Sequence, residues 1–278
     1  MSNLISRFYA TVVPCVVFIA SCGLQDHTRS ALAGGHFAPE DKNDAALPSL
    51  SLLFSENFLP SVTLQDKVIL HFAYSLCYSE THEQAIWVAY RLTRRMCRDK
   101  QAERKNNFRP DPFVITESAS PKDYLKSGYD KGHLCPAQDM AWSKIAMSES
   151  FFMSNISPQA PSFNRGTWKS LEMKVRTWAE AVDTIYIVTG GVLVDDLIKI
   201  GTNEVSVPRL FFKVILQNPT SGKRGIGFVM DNRRLDPNVF SYAVSIDSVE
   251  ALTGIDFFPA LRDDIERRIE AVRTMDWK

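Results

Sequence analysis

The pattern of hydrophobic and polar positions predicts strands in the second, larger part of the chain. The runs that predict a strand are Lys67 to Tyr78, Ala85 to Thr93, Thr184 to Thr189, Leu210 to Leu216 and Ile226 to Met230. The third run is apolar throughout and ends at Gly190-Gly191, which suits a strand buried on both faces. A turn carrying Pro219 and Gly222 joins the last two strands.

Hydrophobic spacing also predicts helices. One apolar stripe, with Asn164 at its start, consists of Trp168, Leu171, Val175, Trp178 and Val182. A shorter helix is predicted from Asp247 to Gly254, with Asp247 and Glu250 as a capping box and Gly254 as the stop. Leu261 to Met275 predicts a terminal amphipathic helix. The mixture indicates an α+β fold.

Composition allows one large domain but does not make the protein basic. The chain has 278 residues, 45% of them apolar, which is enough for one sizeable core. Basic and acidic residues number 32 each, so a polyanion-binding surface would need locally concentrated positive charge. Arg91 to Arg109 is such a stretch, with only Asp99 and Glu103 as acids. The alternative interpretation of this stretch is a solvated surface hairpin.

The N-terminus has the features of an export signal. Arg7 precedes an uncharged apolar run, Phe8 to Ala20, which is short for a membrane span. The run leads into Ile19-Ala20-Ser21-Cys22-Gly23, which resembles the lipobox of bacterial lipoproteins, where the cysteine is lipidated. We therefore expect a signal peptide over residues 1–22. The alternative is an ordinary signal peptide without lipidation.

The segment after the signal predicts a tether. Residues 23–57 are rich in Ser, Ala, Gly, Asp and Pro and show no sustained period, so we expect a flexible linker. The folded domain then covers residues 58–278. The protein is expected to be exported, as a periplasmic or outer-membrane lipoprotein or in secreted form. A membrane becomes a partner if Cys22 is lipidated.

The domain has an odd number of cysteines. Cys77, Cys97 and Cys135 remain after the lipobox-like end, so at least one thiol is unpaired. Cys77 and Cys97 lie on neighbouring predicted strands and are the expected disulfide pair. No CxxC motif or Cys/His cluster suggests zinc.

The residues that carry chemistry are Asp130-Lys131-Gly132-His133, followed by Asn164 and Glu172. An imidazole such as His133 can take a proton from water near neutral pH. The amide oxygen of Asn164 suits a hard, mostly hydrated Mg²⁺ ion. Glu172 lies eight residues further on, broadly on the same side of the helix, and a guanidinium such as Arg104 can clamp phosphate oxygens. The combination suits metal-assisted phosphodiester hydrolysis.

Each of these residues also has an ordinary structural interpretation. His133 alone would be a loop or strand-end residue, Asn164 a helix N-cap, and Glu172 a solvated helix residue. The hypothesis therefore depends on their ordered combination and on the surrounding sequence.

The surrounding sequence resembles the DNA/RNA non-specific endonucleases, the endonuclease G-like ββα-metal nucleases. Tyr129 to Leu134 is similar to the family's DRGH motif, and Phe152 to Gln159 to its SNxxPQ segment. Phe163 to Glu172 is similar to its LNxGxWxxLE helix. Further similar segments are Trp87 to Tyr90, Arg104 to Phe108 and Glu250 to Phe258. The resemblance runs in matching order from about Lys67 to Phe258.

The resemblance implies a ββα-metal (His-Me finger) nuclease fold with a central, mainly antiparallel β-sheet flanked by helices. It implies a divalent cofactor, usually Mg²⁺, with Mn²⁺ or another divalent ion as the open alternative. The implied substrates are DNA and RNA, single- and double-stranded. Little sequence preference fits contacts to the phosphate backbone rather than to base edges.

The resemblance also implies roles for individual residues. The implied catalytic set is His133 as general base, Arg104 as transition-state stabiliser, Asn155 and Asp130 as supporting residues, and Lys131 within the motif. The implied metal set is Asn164 as direct ligand and Glu172 as outer-shell or weak ligand.

Two features qualify these roles. The commoner motif has Arg where this chain has Lys131, so a bidentate phosphate contact becomes a point charge and weaker substrate positioning is expected. Arg95, Arg98 and Arg109 lie close to Arg104 in sequence and are alternatives to it.

The leading hypothesis is thus an exported, metal-dependent, sequence-non-specific endonuclease. Two alternatives remain: an inactive protein that uses the same fold to bind nucleic acid or a partner, and a phosphodiesterase with a narrower substrate. Some members of the family dimerise, so a homodimer also stays open. Nutrient scavenging, defence and toxicity all fit the sequence.

Overall fold

A computed structural model describes residues 58–63, 65–217 and 224–271, which all belong to one compact unit, Leu47–Lys278. The predicted signal peptide, its lipobox-like end and the predicted linker lie outside the described residues. So do the predicted turn at Pro219 and Gly222 and the part of the predicted terminal helix beyond residue 271. Within the described ranges, no helix is both long and apolar enough to cross a membrane.

A seven-stranded sheet forms the centre of the domain. Its strands, in spatial order, are β1 (Lys67–Leu70), β2 (Tyr74–Ser79), β3 (Gln84–Thr93), β6 (Thr184–Gly191), β9 (Leu210–Gln217), β10 (Arg224–Asp231) and β11 (Ala243–Val244). Every neighbouring pair is antiparallel. The predicted central antiparallel sheet is confirmed.

Two short hairpins lie outside the large sheet. They are β4 (Asp130–His133) with β5 (Ile156–Gln159), and β7 (Lys199–Ile200) with β8 (Val205–Ser206). The helices are α1 (Arg94–Arg98), α2 (Lys144–Glu149), α3 (Lys169–Val182), α4 (Ile246–Thr253) and α5 (Asp263–Glu270). A short helical segment, Pro161–Phe163, and a widened turn, Asn164–Trp168, lead into α3.

The sheet separates two hydrophobic cores because successive side chains of a strand point to opposite faces. On β9, Phe211 and Ile215 join the first core, which includes Leu171 of α3. Phe212 and Val214 join the second core, which includes residues of α4 and α5. We call these the α3 core and the α4–α5 core. The candidate site lies beside the α3 core.

The strand predicted from Lys67 to Tyr78 is in fact two strands. β1 and β2 form an antiparallel hairpin whose turn brings the amide of His71 to the carbonyl oxygen of Tyr74, at 2.9 Å. His71 is buried and its Nε2 lies 2.9 Å from Asp111 Oδ2. The turn residues Phe72 and Ala73 are half-buried beside the buried His71, and the hydrophobic pattern therefore runs through the turn.

The predicted capping box of α4 is wrong, although the end of the helix is correct. Ser245 is the N-cap, and its hydroxyl accepts a hydrogen bond from the amide of Ser248. Glu250 instead accepts a hydrogen bond from the amide of Phe257, at 2.8 Å. Gly254 ends the helix with a left-handed φ of 71°, as its position predicted.

The predicted disulfide between Cys77 and Cys97 is also wrong, because Cys97 does not lie on a strand. It lies on α1 and packs against the α3 core, whereas Cys77 on β2 lies in the α4–α5 core. The sheet therefore separates the two sulfur atoms. Cys77, Cys97 and Cys135 are all free thiols.

Candidate active site

The β4–β5 hairpin positions His133. His133 ends β4 and pairs with Ile156 of β5. Gly132, directly before it, has Gln159 so close that a Cβ atom would lie 2.2 Å from that side chain. Only glycine fits there without displacing the Gln159 side chain, so the Gly-His pair of the motif has a packing reason.

Asn155 fixes the chain that follows His133. Its Nδ2 donates to the carbonyl oxygens of Cys135 (2.9 Å) and Ser150 (2.8 Å), and its Oδ1 accepts from the amide of Cys135 (2.8 Å). Its backbone carbonyl accepts from the amide of Leu134, at 3.0 Å. Asn155 is fully buried and does not line the cleft described below, so its place is that of a supporting residue.

The imidazole of His133 is held between aromatic rings. Its centroid lies 5.5 Å from that of Phe108 and 5.0 Å from that of Phe151, the latter edge-on at 89°. Its Nε2 is buried and has no hydrogen-bond partner in the described structure. Burial, and then the charge of Arg104, lower the pKa of His133 to about 3. The ring is therefore neutral at physiological pH, the form that a general base requires.

Asp130, at the other end of β4, binds the turn that carries Asn164. Its Oδ2 accepts from Asn164 Nδ2 at 2.9 Å, and its two oxygens accept from Arg165 at 2.8 and 2.6 Å. Partial burial opposes ionisation, but the hydrogen bonds from Arg165 and Asn164 lower the pKa of Asp130 overall. Asp130 is thus an anion that ties the hairpin to the start of the helix.

The turn from Asn164 to Trp168 is not a regular helix. It is widened to π-helical hydrogen bonding, and Gly166 departs from helical geometry with φ −101° and ψ −118°. Such widened turns often occur at functional sites. Here the turn presents Asn164 and Arg165 together to Asp130, while Glu172 projects from the regular helix α3 that follows.

A cleft of about 800 Å³ brings most of the predicted residues together. The predicted site residues that line it are Arg104, Lys131, His133, Asn164 and Glu172. Other charged residues on its walls are Lys100, Arg165, Lys169, Arg176 and Glu180. Asp130 and Asn155 do not line the cleft but support residues that do.

Two oxygen donors in the cleft suit a hard divalent cation. Asn164 has its amide nitrogen bound to Asp130, so its amide oxygen is the atom that it offers to the cleft. Glu172 is half-buried and supplies a carboxylate. Amide and carboxylate oxygens, with room for water, are the ligands that Mg²⁺ takes in proteins. The donor set therefore fits the implied ion.

Arg104 is the arginine of the basic stretch that reaches this cleft. Its guanidinium lies 5.1 Å from the centroid of the Phe151 ring, and its Nε donates to Asn106 Oδ1 at 2.7 Å. Lys131 lies over a second ring of the same aromatic cluster. Its Nζ is 5.1 Å from the centroid of Phe108, which packs edge-on against Phe151. The two cations flank the aromatic residues that hold His133.

The alternative arginines do not line the cleft, although Arg98 lies near Glu180 of its wall. Arg95 pairs with Asp99 at 3.0 Å, and Arg109 lies over the Phe152 ring at 4.1 Å, with Nη1 2.8 Å from the carbonyl oxygen of Ser148. Arg98 Nε lies 3.9 Å from Glu180 Oε2. The stretch is also not a surface hairpin, because it consists of the end of β3, helix α1 and an irregular segment.

A buried charged layer behind Glu172 was missed from the sequence. Lys213 on β9 is fully buried, lies 4.7 Å from the Trp168 ring centroid, and its Nζ has no hydrogen-bond partner in the described structure. Asp139 binds Arg176 at 2.7 Å. Burial raises the pKa of Glu172, and the positive charge of Lys213 is the strongest influence that opposes this rise. The available signal was the single lysine within the apolar run of β9.

Comparison with known proteins agrees with this geometry. The model of the DNA/RNA non-specific endonuclease family matches residues 54–264. A solved structure, "Crystal structure of the EndoG/EndoGI complex: Mechanism of EndoG inhibition", superposes with a TM-score of 0.71 and 28% identity, covering 79% of this chain and 96% of that one. The fold is therefore the predicted α+β fold of the ββα-metal nucleases, with β4, β5 and α3 as the ββα unit.

Relatives in sequence are similar over the same region. "Nuclease EXOG, mitochondrial" of Danio rerio is 36% identical over 203 residues, covering 67% of this chain and 59% of the relative. "Endonuclease G, mitochondrial" of Homo sapiens is 32% identical over 201 residues, covering 67% and 68%. "Nuclease" of Nostoc sp. is 34% identical over 212 residues, covering 71% and 75%. The chain belongs to the DNA/RNA non-specific endonuclease family.

Proposed function

We propose that the protein is a metal-dependent, sequence-non-specific endonuclease that hydrolyses phosphodiester bonds of DNA and RNA. The observation that carries the proposal is the shared cleft, in which His133, Arg104 and the oxygen donors Asn164 and Glu172 meet. Phosphodiester hydrolysis needs a base, positive charge for the phosphorane and support for the leaving oxygen. Those groups are the ones that line the cleft.

His133 takes the proton from the attacking water. The neutral imidazole has one nitrogen without a proton, which can accept it. The rings of Phe108 and Phe151 fix the orientation of the imidazole, and the hydrogen bonds of Asn155 fix the backbone that follows it. Arg104 and Lys131 stand beside it and stabilise the negative charge that develops on the phosphate oxygens. Lys131 acts as a point charge rather than as a planar fork.

Asn164 and Glu172 would hold the divalent ion. Bound there, the ion would neutralise charge on the scissile phosphate and the leaving oxygen. Asp130 keeps the Asn164 amide oriented with its oxygen available, and Lys213 balances the Glu172 carboxylate from behind. We propose Mg²⁺ as the ion, with Mn²⁺ as the substitute of the same donor preference.

The lack of sequence preference has a physical basis in the cleft. Its cations, among them Lys100, Lys169 and Arg165, suit contacts to phosphates, which are the same in every sequence. Such binding weakens as salt is added, because the release of counterions from the nucleic acid is less favourable at a higher salt concentration. Cleavage of plasmid DNA and of RNA should therefore both fall steeply with increasing salt.

The experiment that tests the proposal is degradation of plasmid DNA and of RNA by the purified chain with Mg²⁺, Mn²⁺ or Ca²⁺, and with EDTA. We expect cleavage of both polymers that EDTA abolishes. Binding of nucleic acid without cleavage under every metal condition would support the inactive binding protein instead. Hydrolysis of a small phosphodiester alone would support the narrower phosphodiesterase.

We also propose that the chain is exported and anchored through lipidated Cys22. The support is the apolar run Phe8 to Ala20 directly before Cys22, together with the linker-like composition of residues 23–57. Labelling of expressing bacteria with a fatty-acid analogue should mark the wild-type chain and not Cys22→Ala. An unlabelled wild-type chain that is nevertheless exported would indicate an ordinary signal peptide.

A further inference from the structure

Three carboxylates converge on the face of the sheet opposite the cleft. Asp247 and Glu250 lie in the first half of α4, and Glu270 is the last residue of α5. One oxygen from each lies within 4.8 Å of the other two. These helices pack on the α4–α5 core, whereas the cleft residues lie beside the α3 core. The cluster is therefore separate from the proposed nuclease site.

Glu270 is unusual because it is buried without a hydrogen-bond partner. Only 6% of the residue is exposed, and its Oε1 is buried and unpartnered within the described ranges. A buried carboxylate oxygen without a partner is costly unless a cation or a proton satisfies it. The terminal residue of a surface helix is a place where such a side chain would ordinarily turn to water.

Packing of the neighbouring residue positions the end of α5 beside the sheet. Its neighbour Ile269 lies in the α4–α5 core, against Ile246 and the backbone of β10. A Cβ atom on Gly225 of β10 would lie 2.4 Å from Ile269, so the helix sits directly on the strand. This contact fixes the position of the last turn of α5, from which the Glu270 carboxylate reaches the two carboxylates of α4.

The charges around Glu270 add to the cost. Burial, followed by the carboxylates of Glu250 and Glu266, raises the pKa of Glu270 to about 8. Asp247 and Asp256 act in the same direction. The groups that act most strongly on Glu270 are the carboxylates of its neighbours, an arrangement that a bound cation would stabilise.

We infer that Asp247, Glu250 and Glu270 form a calcium-binding site that ties α5 to α4. Carboxylates are the ligands that Ca²⁺ prefers, and water completes its flexible coordination shell. The three oxygens are close enough to share one ion. The longer and more flexible bonds of Ca²⁺, roughly 2.3–2.6 Å against about 2.0–2.1 Å for Mg²⁺, suit carboxylates that come from two separate helices. The hydrogen bond from the Phe257 amide orients Glu250 for this role.

The test uses the full chain carrying Asn164→Ala, which removes the proposed ligand of the catalytic ion. Thermal unfolding is followed with and without CaCl₂, and calcium binding is counted by calorimetry. Glu270→Gln is added to this background to remove the buried ligand. The matched control is Glu266→Gln, which removes a carboxylate from the same helix but not from the three-residue cluster.

We expect CaCl₂ to raise the unfolding midpoint of the Asn164→Ala chain and of its Glu266→Gln derivative. Glu270→Gln should abolish that rise and remove one bound calcium ion. Without calcium, Glu270→Gln should melt no lower than its parent, because it replaces a buried carboxyl group with an amide of nearly the same shape, and that result also shows that the variant folds. A midpoint that ignores calcium, an unchanged rise in Glu270→Gln, or an equal rise with MgCl₂ would overturn the assignment.

Discussion

Asp130 Oδ2 accepts a hydrogen bond of 2.9 Å from Nδ2 of Asn164, across the gap between the β-hairpin and the helix. The bond fixes the orientation of the Asn164 amide, since its nitrogen faces Asp130 and its oxygen faces the cleft. A residue outside the cleft therefore determines which atom a metal ion would meet. Partners of this kind orient metal ligands in many sites.

Removing this bond should weaken metal use. In Asp130→Ala, the Asn164 amide can rotate, and we expect the Mg²⁺ concentration for half-maximal cleavage to rise by about 10- to 100-fold. Arg165→Ala is the control, because it removes the ion pair of 2.6 Å but leaves the bond between Asp130 and Asn164. Equal shifts in the two variants would show that Asp130 acts through Arg165 instead.

Arg104 should matter to the rate, and its neighbours in sequence should not. Arg104→Ala removes a cation from the cleft, and we expect single-turnover cleavage to slow by about 10²- to 10³-fold at saturating Mg²⁺. Arg95→Ala is the matched control, because Arg95 is exposed and pairs with Asp99 away from the cleft. A comparable loss in Arg95→Ala would contradict the assignment of Arg104.

Lys213 should separate activity from stability. Lys213→Met keeps the length of the side chain and removes a buried ammonium group that has no hydrogen-bond partner. Burial lowers the pKa of Lys213 despite the nearby carboxylates, so the ammonium is unfavourable there and the free energy of unfolding should be unchanged or higher. Without the positive charge of Lys213, the ionised form of the buried Glu172 is less stable. Cleavage at limiting Mg²⁺ should therefore fall by about 10- to 100-fold. Lys122→Met, at an exposed position, should change neither. Parallel losses of cleavage and of folding in Lys213→Met would indicate a purely structural lysine.

The buried His133 should make the metal-free protein sensitive to acid. Its pKa is about 3 in the folded protein against an ordinary 6.5, so between these values the unfolded chain binds a proton that the folded chain does not. Stability is therefore retained above pH 6.5 and lost as the pH falls towards 3. Urea unfolding in EDTA should show a shallower loss for His133→Asn than for the wild type. Identical slopes would mean that His133 is not buried in its neutral form.

The meeting of the predicted site residues in one cleft was predictable because they occur in short motifs whose order carries the information. His133, Asn164 and Glu172 were each ambiguous alone, but their combination led to one cleft. The widened turn at Asn164 could not be predicted, because the hydrophobic spacing does not distinguish it from a regular helical turn, and its contact with Asp130 joins residues 34 positions apart. Regular helical spacing predicts Asn164 and Glu172 on one side of a continuous helix. In the structure only Glu172 lies in the regular helix, and Asn164 lies in the widened turn before it.

The errors arose where burial, rather than periodicity, determined the structure. The turn between β1 and β2 is hidden because His71 is buried through a bond to Asp111, forty residues away in sequence. Cys97 was placed on a strand because the apolar pattern of β3 ends only a few residues earlier. Lys213 was missed because a single lysine in a strand normally marks an exposed edge, whereas here β9 is central and both faces are covered.

Chemical rescue of His133→Ala tests most directly whether His133 is the general base of a phosphodiester hydrolysis. Single-turnover cleavage of DNA should fall by about 10²- to 10⁴-fold in this variant at saturating Mg²⁺. Added imidazole should restore part of the rate, because it can enter the space left by the ring and accept the proton from water. Wild-type cleavage by His133→Ala would contradict the assignment of the general base.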